Sequence, residues 1–202
     1  MAAPENALEA ILKGINIQKK IPASFIAMKL QIDDEYYFSE ITPADKPAYI
    51  EHFSEPAVFT NMHQIPYPYT DKDADWFINK VAEEKAKCGR SLIWAIRRSD
   101  GYLIGGLAFN NLIVGQSHQS SIGYWLAKPY WGRGIMTRAV RVAVQFAFKE
   151  FEIVRLYAEV RDINSGSAKV LLNAGFVQEG LCRKLWRKGA DFWDCKIFAL
   201  VV

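Results

Sequence analysis

The residues best placed for chemistry are two glycines, Gly132 and Gly134, inside the run Lys128-Pro129-Tyr130-Trp131-Gly132-Arg133-Gly134-Ile135-Met136-Thr137-Arg138. Before them, Ile122, Tyr124 and Leu126 alternate as in a half-buried strand. After them, Ile135, Ala139, Val142, Ala143, Phe146 and Ala147 recur with a helical period. Glycines at such a hand-over permit positive φ and let a ligand approach the backbone closely. The first amides of a helix lack intrahelical partners, and the macrodipole adds positive potential at that end. The chemistry this suits is anion binding, above all of a phosphate or pyrophosphate. The same spacing also suits an ordinary glycine-containing turn between a strand and a helix.

Elements on either side must hold this turn. Residues 1–34 read as an N-terminal extension of short helix and strand, and residues 35–202 as the main domain. In the extension, Leu8, Ile11, Leu12 and Ile15 share a helical face, and Phe25 to Ile32 is apolar enough for a short strand. Tyr36 to Ile41 is predicted as a strand. Thr42 is a plausible N-cap for a helix ending near Phe53, with Pro43 first and Asp45 third. A loop from Asn61 to Tyr69, rich in aromatics and prolines, leads to a second helix over Asp73 to Lys87, capped by Thr70 or Asp71. Strands are predicted over Ser91 to Arg97, Leu103 to Leu112 and Ser120 to Leu126. After the glycine turn and its helix come a strand at Leu156 to Val160 and a helix at Asp162 to Asn173. The last strands, Phe176 to Leu181 and Phe192 to Val201, are joined by a basic segment with Gly189 at a turn. This order describes a mixed α/β sheet with no internal repeats.

Composition narrows the function classes. Half of the 202 residues are hydrophobic and 13% aromatic, enough for one proper core. Against 22 acidic residues stand 25 basic ones, with no long basic run, so a nucleic-acid partner is not expected. No apolar run approaches a membrane span, and the N-terminus lacks the pattern of a secretory or mitochondrial leader. Cys88, Cys182 and Cys195 form no CxxC pair, so neither a disulfide framework nor a metal site is expected. A cytoplasmic setting is the simplest reading.

Three motifs in order carry a resemblance. Ile122-Gly123-Tyr124-Trp125-Leu126 leads into Tyr130-Trp131-Gly132-Arg133-Gly134. Asn164-x-x-Ser167 opens a helix that closes on Gly175-Phe176 and then Glu179-Gly180. Earlier, Ile65-Pro66-Tyr67-Pro68-Tyr69 precedes an acidic, aromatic helix. Together they resemble the GNAT acetyltransferase superfamily, in its RimJ/RimL-like branch of ribosomal-protein N-acetyltransferases, over roughly Glu35 to Val202. The resemblance implies the acyl-CoA N-acyltransferase fold: a mixed, largely antiparallel central sheet with splayed fourth and fifth core strands, flanked by helices. It implies acetyl-CoA as co-substrate and direct acetyl transfer to a primary amine, on a protein N-terminus or a small molecule. A catalytically weak acyl-CoA-binding sensor or interaction module of the same fold is the alternative, and a second copy of the chain is a candidate partner.

The resemblance also implies site residues. Trp125, Leu126 and Ala127 would line the pantetheine arm. The amides of Trp131, Gly132, Arg133, Gly134, Ile135 and Met136 would hold the pyrophosphate, with Arg133 adding charge and Asn164 belonging to the cofactor block. Pro129 departs from the general motif, which has Gln or Arg there. Where many relatives place an acidic tyrosine stands Leu171, so Ser167 becomes the donor to the departing thiolate; an ordinary first-turn serine is the alternative. Where many carry a glutamate before Ile-Gly-Tyr stands Ser121, so Glu179 becomes the candidate base. Pairing of Glu179 with Arg183 or Arg187, and a water chain in place of any single base, stay open. His63, Tyr67, Tyr69 and Tyr124 are candidates for the acceptor pocket, with Trp76 beside them.

Overall fold

The computed structural model describes residues 29–202. The helical face expected from Leu8 to Ile15 lies outside the described residues. Strand β1 (Lys29–Gln31) is followed by β2 (Tyr36–Ser39), a 3₁₀ turn (Pro43–Asp45), and helices α1 (Lys46–Phe53), α2 (Pro56–Phe59) and α3 (Asp71–Cys88). Strands β3 (Ile93–Arg98), β4 (Leu103–Asn110) and β5 (Gln119–Leu126) come next, then a second 3₁₀ turn (Lys128–Tyr130) and α4 (Ile135–Glu150). The chain closes with β6 (Arg155–Arg161), α5 (Ser165–Asn173), β7 (Val177–Lys188) and β8 (Asp191–Val201).

The eight strands form one sheet in the order β1-β2-β3-β4-β5-β6-β8-β7. Every neighbouring pair is antiparallel except β5 and β6. That exception shapes the molecule. The parallel ladder holds only at Gln119↔Arg155, Ser120↔Leu156 and Ser121↔Tyr157. Beyond it, β5 stays paired with β4 as far as Leu126, and β6 stays paired with β8 as far as Arg161. The two strands therefore part after Ser121 and Tyr157, which leaves a wedge in the middle of the sheet.

One face of the sheet packs against α4 and α5. Ile135, Met136, Ala139, Val140, Ala143 and Ala147 of α4 are buried against Ile104, Leu107, Ile122, Leu156 and Ala158. The other face carries Tyr49 and Phe53 of α1, Val58 of α2 and Ala74 of α3, with Trp125 beside them. The capping expected at Thr42 is present: Asp45 Oδ2 accepts the Thr42 amide at 2.7 Å. Thr70 caps α3 in the same way, with Asp73 Oδ2 accepting its amide at 2.8 Å.

The structure adds to or departs from the sequence expectations at three places. The sheet reaches back beyond Glu35: β1 joins it from Lys29 through Lys29↔Ser39, and Asp33 accepts from Arg138 at 2.7 Å. The basic stretch Arg183 to Lys188 is strand, not connection, because β7 pairs with β8 up to Lys188↔Asp191. Helix α2 has no counterpart in the sequence reading; its four residues are too few for a period, and Glu55 starts it by accepting the Ala57 amide at 3.3 Å.

Candidate active site

The glycine turn forms an open cradle. Gly134 is the N-cap of α4 at φ +71°, with no side chain capping the helix. A Cβ on Gly132, at φ +74°, would meet nothing within 4 Å, so the backbone there can be approached closely. The side chains of Ile135 and Met136 are buried, 1% and 5% exposed, so these two residues present only their amides to a ligand. Positive charge surrounds the turn. Arg138 Nη1 donates to the Arg133 carbonyl at 3.2 Å, while its Nε donates to Asp33. The Arg133 guanidinium lies 5.6 Å from the Tyr130 ring centroid, and Arg98 donates to the Tyr130 hydroxyl at 3.2 Å.

The strand leading into the cradle is partly committed. Trp131 donates its indole N–H to the Leu126 carbonyl at 2.7 Å, which ties the turn back onto β5. Ala127 is fully buried; its amide donates to Ile104 at 2.8 Å and its carbonyl accepts from Tyr130 at 3.0 Å. Its only donor is spent inside the fold.

Ser167 sits beside the wedge, on the α5 side of the sheet. Asn164 Oδ1 accepts the Ser167 amide at 3.0 Å, so Asn164 starts α5 and positions the serine. Ser167 Oγ lies 2.9 Å from the Tyr124 hydroxyl, and either can donate. The Ser167 carbonyl lies within reach of the same phenol, at 3.3 Å, so the single Tyr124 proton goes to that carbonyl or to Oγ. Burial pushes the Tyr124 phenol well above its ordinary pKa, so it stays neutral. Tyr124 faces α5, while its neighbour Trp125 faces α1 at 4.7 Å from Phe53.

The opposite face of the wedge is lined by β6, β7 and the segment after α2. In a parallel pair, residues in register point the same way. The Ser121↔Tyr157 register thus puts Tyr157, Glu159 and Arg161 on the face of Gly123 and Trp125. Glu159 Oε2 accepts the Trp186 indole N–H at 2.7 Å. Trp186 in turn stacks on His63 at 4.1 Å and 23°. Burial lowers the His63 pKa; Glu159 opposes that shift and Lys188 adds to it. Lys188 Nζ donates to the carbonyls of Phe59 and Met62 at 2.8 and 2.6 Å, and Arg161 donates to Thr60 at 3.2 Å. Burial, with Arg161 nearby, draws the Lys188 pKa down to about 8.

Other expected residues lie elsewhere. Tyr69 is 5% exposed and packs edge-on against Phe53 at 5.0 Å, so it is core. Tyr67 is exposed and leans on Phe59 at 4.7 Å. Glu179 is not brought to Ser167. Its two oxygens accept from Arg155 at 2.8 and 2.5 Å, so its partner is neither Arg183 nor Arg187. The Arg155 hydrogen bonds hold its carboxyl below the usual range, which weakens it as a base. Arg155 faces Gln119 at the closed end of the wedge. From there to Tyr124 the strand advances about 17 Å at roughly 3.3 Å per residue.

Residues 36–177 match the acetyltransferase (GNAT) domain family. The chain belongs to the GNAT acetyltransferase family. Over 103 residues this GNAT chain is 40% identical to a probable N-acetyltransferase YjcK of Bacillus subtilis, a match covering 51% of the chain and 57% of that protein. It thus spans little more than half the length of that relative. A ribosomal-protein-serine acetyltransferase of Escherichia coli is 28% identical over 100 residues, 50% of this chain and 55% of that one. Among solved structures, the microcin C7 self-immunity acetyltransferase MccE in complex with acetyl-CoA and AMP superposes with a TM-score of 0.74. That likeness, at 22% identity over 85% of this chain and 94% of the other, bears on the fold. No helix among the described residues is long and apolar enough to cross a membrane.

Glu159, inside the matched GNAT residues, and Trp186, just beyond them, escaped sequence reasoning. Glu159 stands two residues after Tyr157 on a strand whose alternate positions are buried, so its outward face was legible. Which strand lay beside it was not. Trp186, in the stretch read as connection, gave no usable period.

Proposed function

We propose that this chain is an acetyl-CoA-dependent N-acetyltransferase that moves the acetyl group by direct attack onto a primary amine, of a peptide N-terminus or of a small molecule. The observation that supports it most is the wedge between β5 and β6, with the Gly132–Gly134 cradle beyond its open end and Ser167 beside it. The solved neighbour with acetyl-CoA and the Escherichia coli relative named for a ribosomal-protein serine fit the same reading. Acetyl-CoA supplies the activated thioester. In this chain the amides from Trp131 to Met136 would hold the pyrophosphate, with Arg133 adding a charge-assisted contact. Backbone groups of Trp125 and Leu126 would run beside the pantetheine.

Ser167 is the donor to the thiolate as it leaves, with Tyr124 keeping the hydroxyl oriented. Leu171, fully buried, can serve no such role. The test is calorimetry with acetyl-CoA, followed by thiol release against a panel of peptides and amines. Binding with release that depends on the amine is expected. Tight binding without acceptor-dependent release would overturn the enzyme reading in favour of a sensor of acyl-CoA.

A further inference from the structure

A half-buried carboxylate without a cation stands out on the acceptor side of the wedge. Glu159 accepts one hydrogen bond, from the Trp186 indole, and among the described residues no lysine or arginine pairs with it. The contrast with Glu179, clamped by Arg155, is direct. The two nearby cations on this face are otherwise engaged. Lys188 is tied to the carbonyls of Phe59 and Met62, and Arg161 is tied to Thr60 while lying 4.1 Å from the Trp193 ring centroid. A carboxylate drawn partly out of water is stabilised by a positive partner. The surroundings are aromatic: Trp186 is stacked on His63 and paired across the hairpin with Trp193. Such walls favour an ammonium over an anion.

Placement adds a second argument. Ser121 and Tyr157 form the last rung of the parallel ladder between β5 and β6. Glu159 follows two residues later on the same face, where the strands have parted. Ser167 and Tyr124 lie on the other face. The two faces can therefore serve opposite ends of a transfer, amine on one side and leaving sulfur on the other.

Building on the acetyltransferase reading, we propose that Glu159 binds the acceptor's ammonium and takes its first proton, with Trp186 orienting the carboxylate and His63 buttressing Trp186. The acceptor is thus a primary amine that arrives charged. An N–H bond breaks and a carboxyl O–H forms. The freed nitrogen pair makes the new N–C bond as the thioester C–S bond breaks, its electrons leaving on sulfur. Sulfur takes a proton from Ser167, the nitrogen's second proton makes good that loss, and Glu159 returns its own to solvent. Glu159 is the catalytic residue here; Trp186 and His63 are positioning residues.

The experiment compares wild type with Glu159→Gln and Trp186→Phe. The probes are a hexapeptide with free N-terminal serine, the same peptide with N-terminal alanine, and 1,5-diaminopentane. Acetyl-CoA affinity, probe affinity and thiol release are measured for each across pH 6.5–9.5, a window of about this width spanning the α-amino pKa. Glu159→Gln should lower kcat/KM for the accepted probe about 100-fold with acetyl-CoA affinity kept. Its deficit should narrow as pH rises, because an amine already neutral needs no base. Trp186→Phe, which keeps a ring but loses the donor, should lower kcat by a smaller factor and leave acetyl-CoA affinity alone. A Glu159→Gln protein that matches wild type against every probe, in rate and affinity, overturns the inference. Failure of wild type to bind acetyl-CoA would instead strike the acetyltransferase reading beneath it.

Discussion

The hydroxyl of Ser167 carries a single proton, so what it can do depends on Tyr124. With the phenol 2.9 Å away and able to act as donor, the serine can aim its proton into the wedge. Ser167→Ala should then lower kcat by roughly 100-fold, the lower end of general-acid contributions, while calorimetry finds acetyl-CoA affinity little changed. Undiminished turnover would leave Asn164 and Ser167 as a helix start only. Glu179 makes the opposite case. It is exposed and held by Arg155 at the closed end of the wedge, and exposed pairs contribute little. Steady-state rates for Glu179→Gln should stay within about twofold of wild type, and a large loss confined to low pH would restore it as the base.

At the scale of elements, α4 owes its role to where it begins. Gly134 at φ +71° lets β5 hand over to the helix with its first amides presented, and no side chain caps them. Gly134→Asp imposes a strained backbone, crowds Arg138 Nη1 at 3.2 Å, and adds negative charge where an anion should sit. Acetyl-CoA binding should fall below detection by calorimetry, with the far-ultraviolet circular dichroism retained; unchanged affinity would mean that the cradle lies elsewhere. The segment after α2 is held by another logic. It has little regular structure, and Lys188, Arg161 and Trp186 fasten it across the sheet to β6 and β7. This face of the wedge is thus built from two stretches more than a hundred residues apart in the chain.

For the molecule as a whole, one buried ion pair ties the first helical layer to the sheet. Arg97 of β3 reaches Asp45 with both terminal nitrogens, at 2.6 and 2.7 Å, and the side chains are 10% and 5% exposed. Arg97 also donates to Ser39 and to the carbonyls of Glu40 and Gly101, so its charge is fully engaged. Removing one partner strands the other: Asp45→Ala should lower unfolding free energy by about 3–5 kcal/mol in urea titration. A loss no greater than that of an exposed pair would show that water reaches Arg97 freely.

Much of this was legible in the chain. Alternation marked β5, the helical period marked α4, and Thr42 and Thr70 marked where helices begin, because each signal is local and repeats within a few residues, whereas the helix expected from Asp162 starts at Ser165 behind Asn164. The glycine turn was legible for the same reason: a glycine pair and the helix after it are consecutive. Tertiary structure alone decided the rest. It set Tyr124 against Ser167, buried Tyr69, clamped Glu179 with Arg155, and set Glu159 beside Trp186. Those outcomes depend on which strands neighbour one another and where β5 and β6 part, and strand order is a property of long-range pairing that no local period encodes.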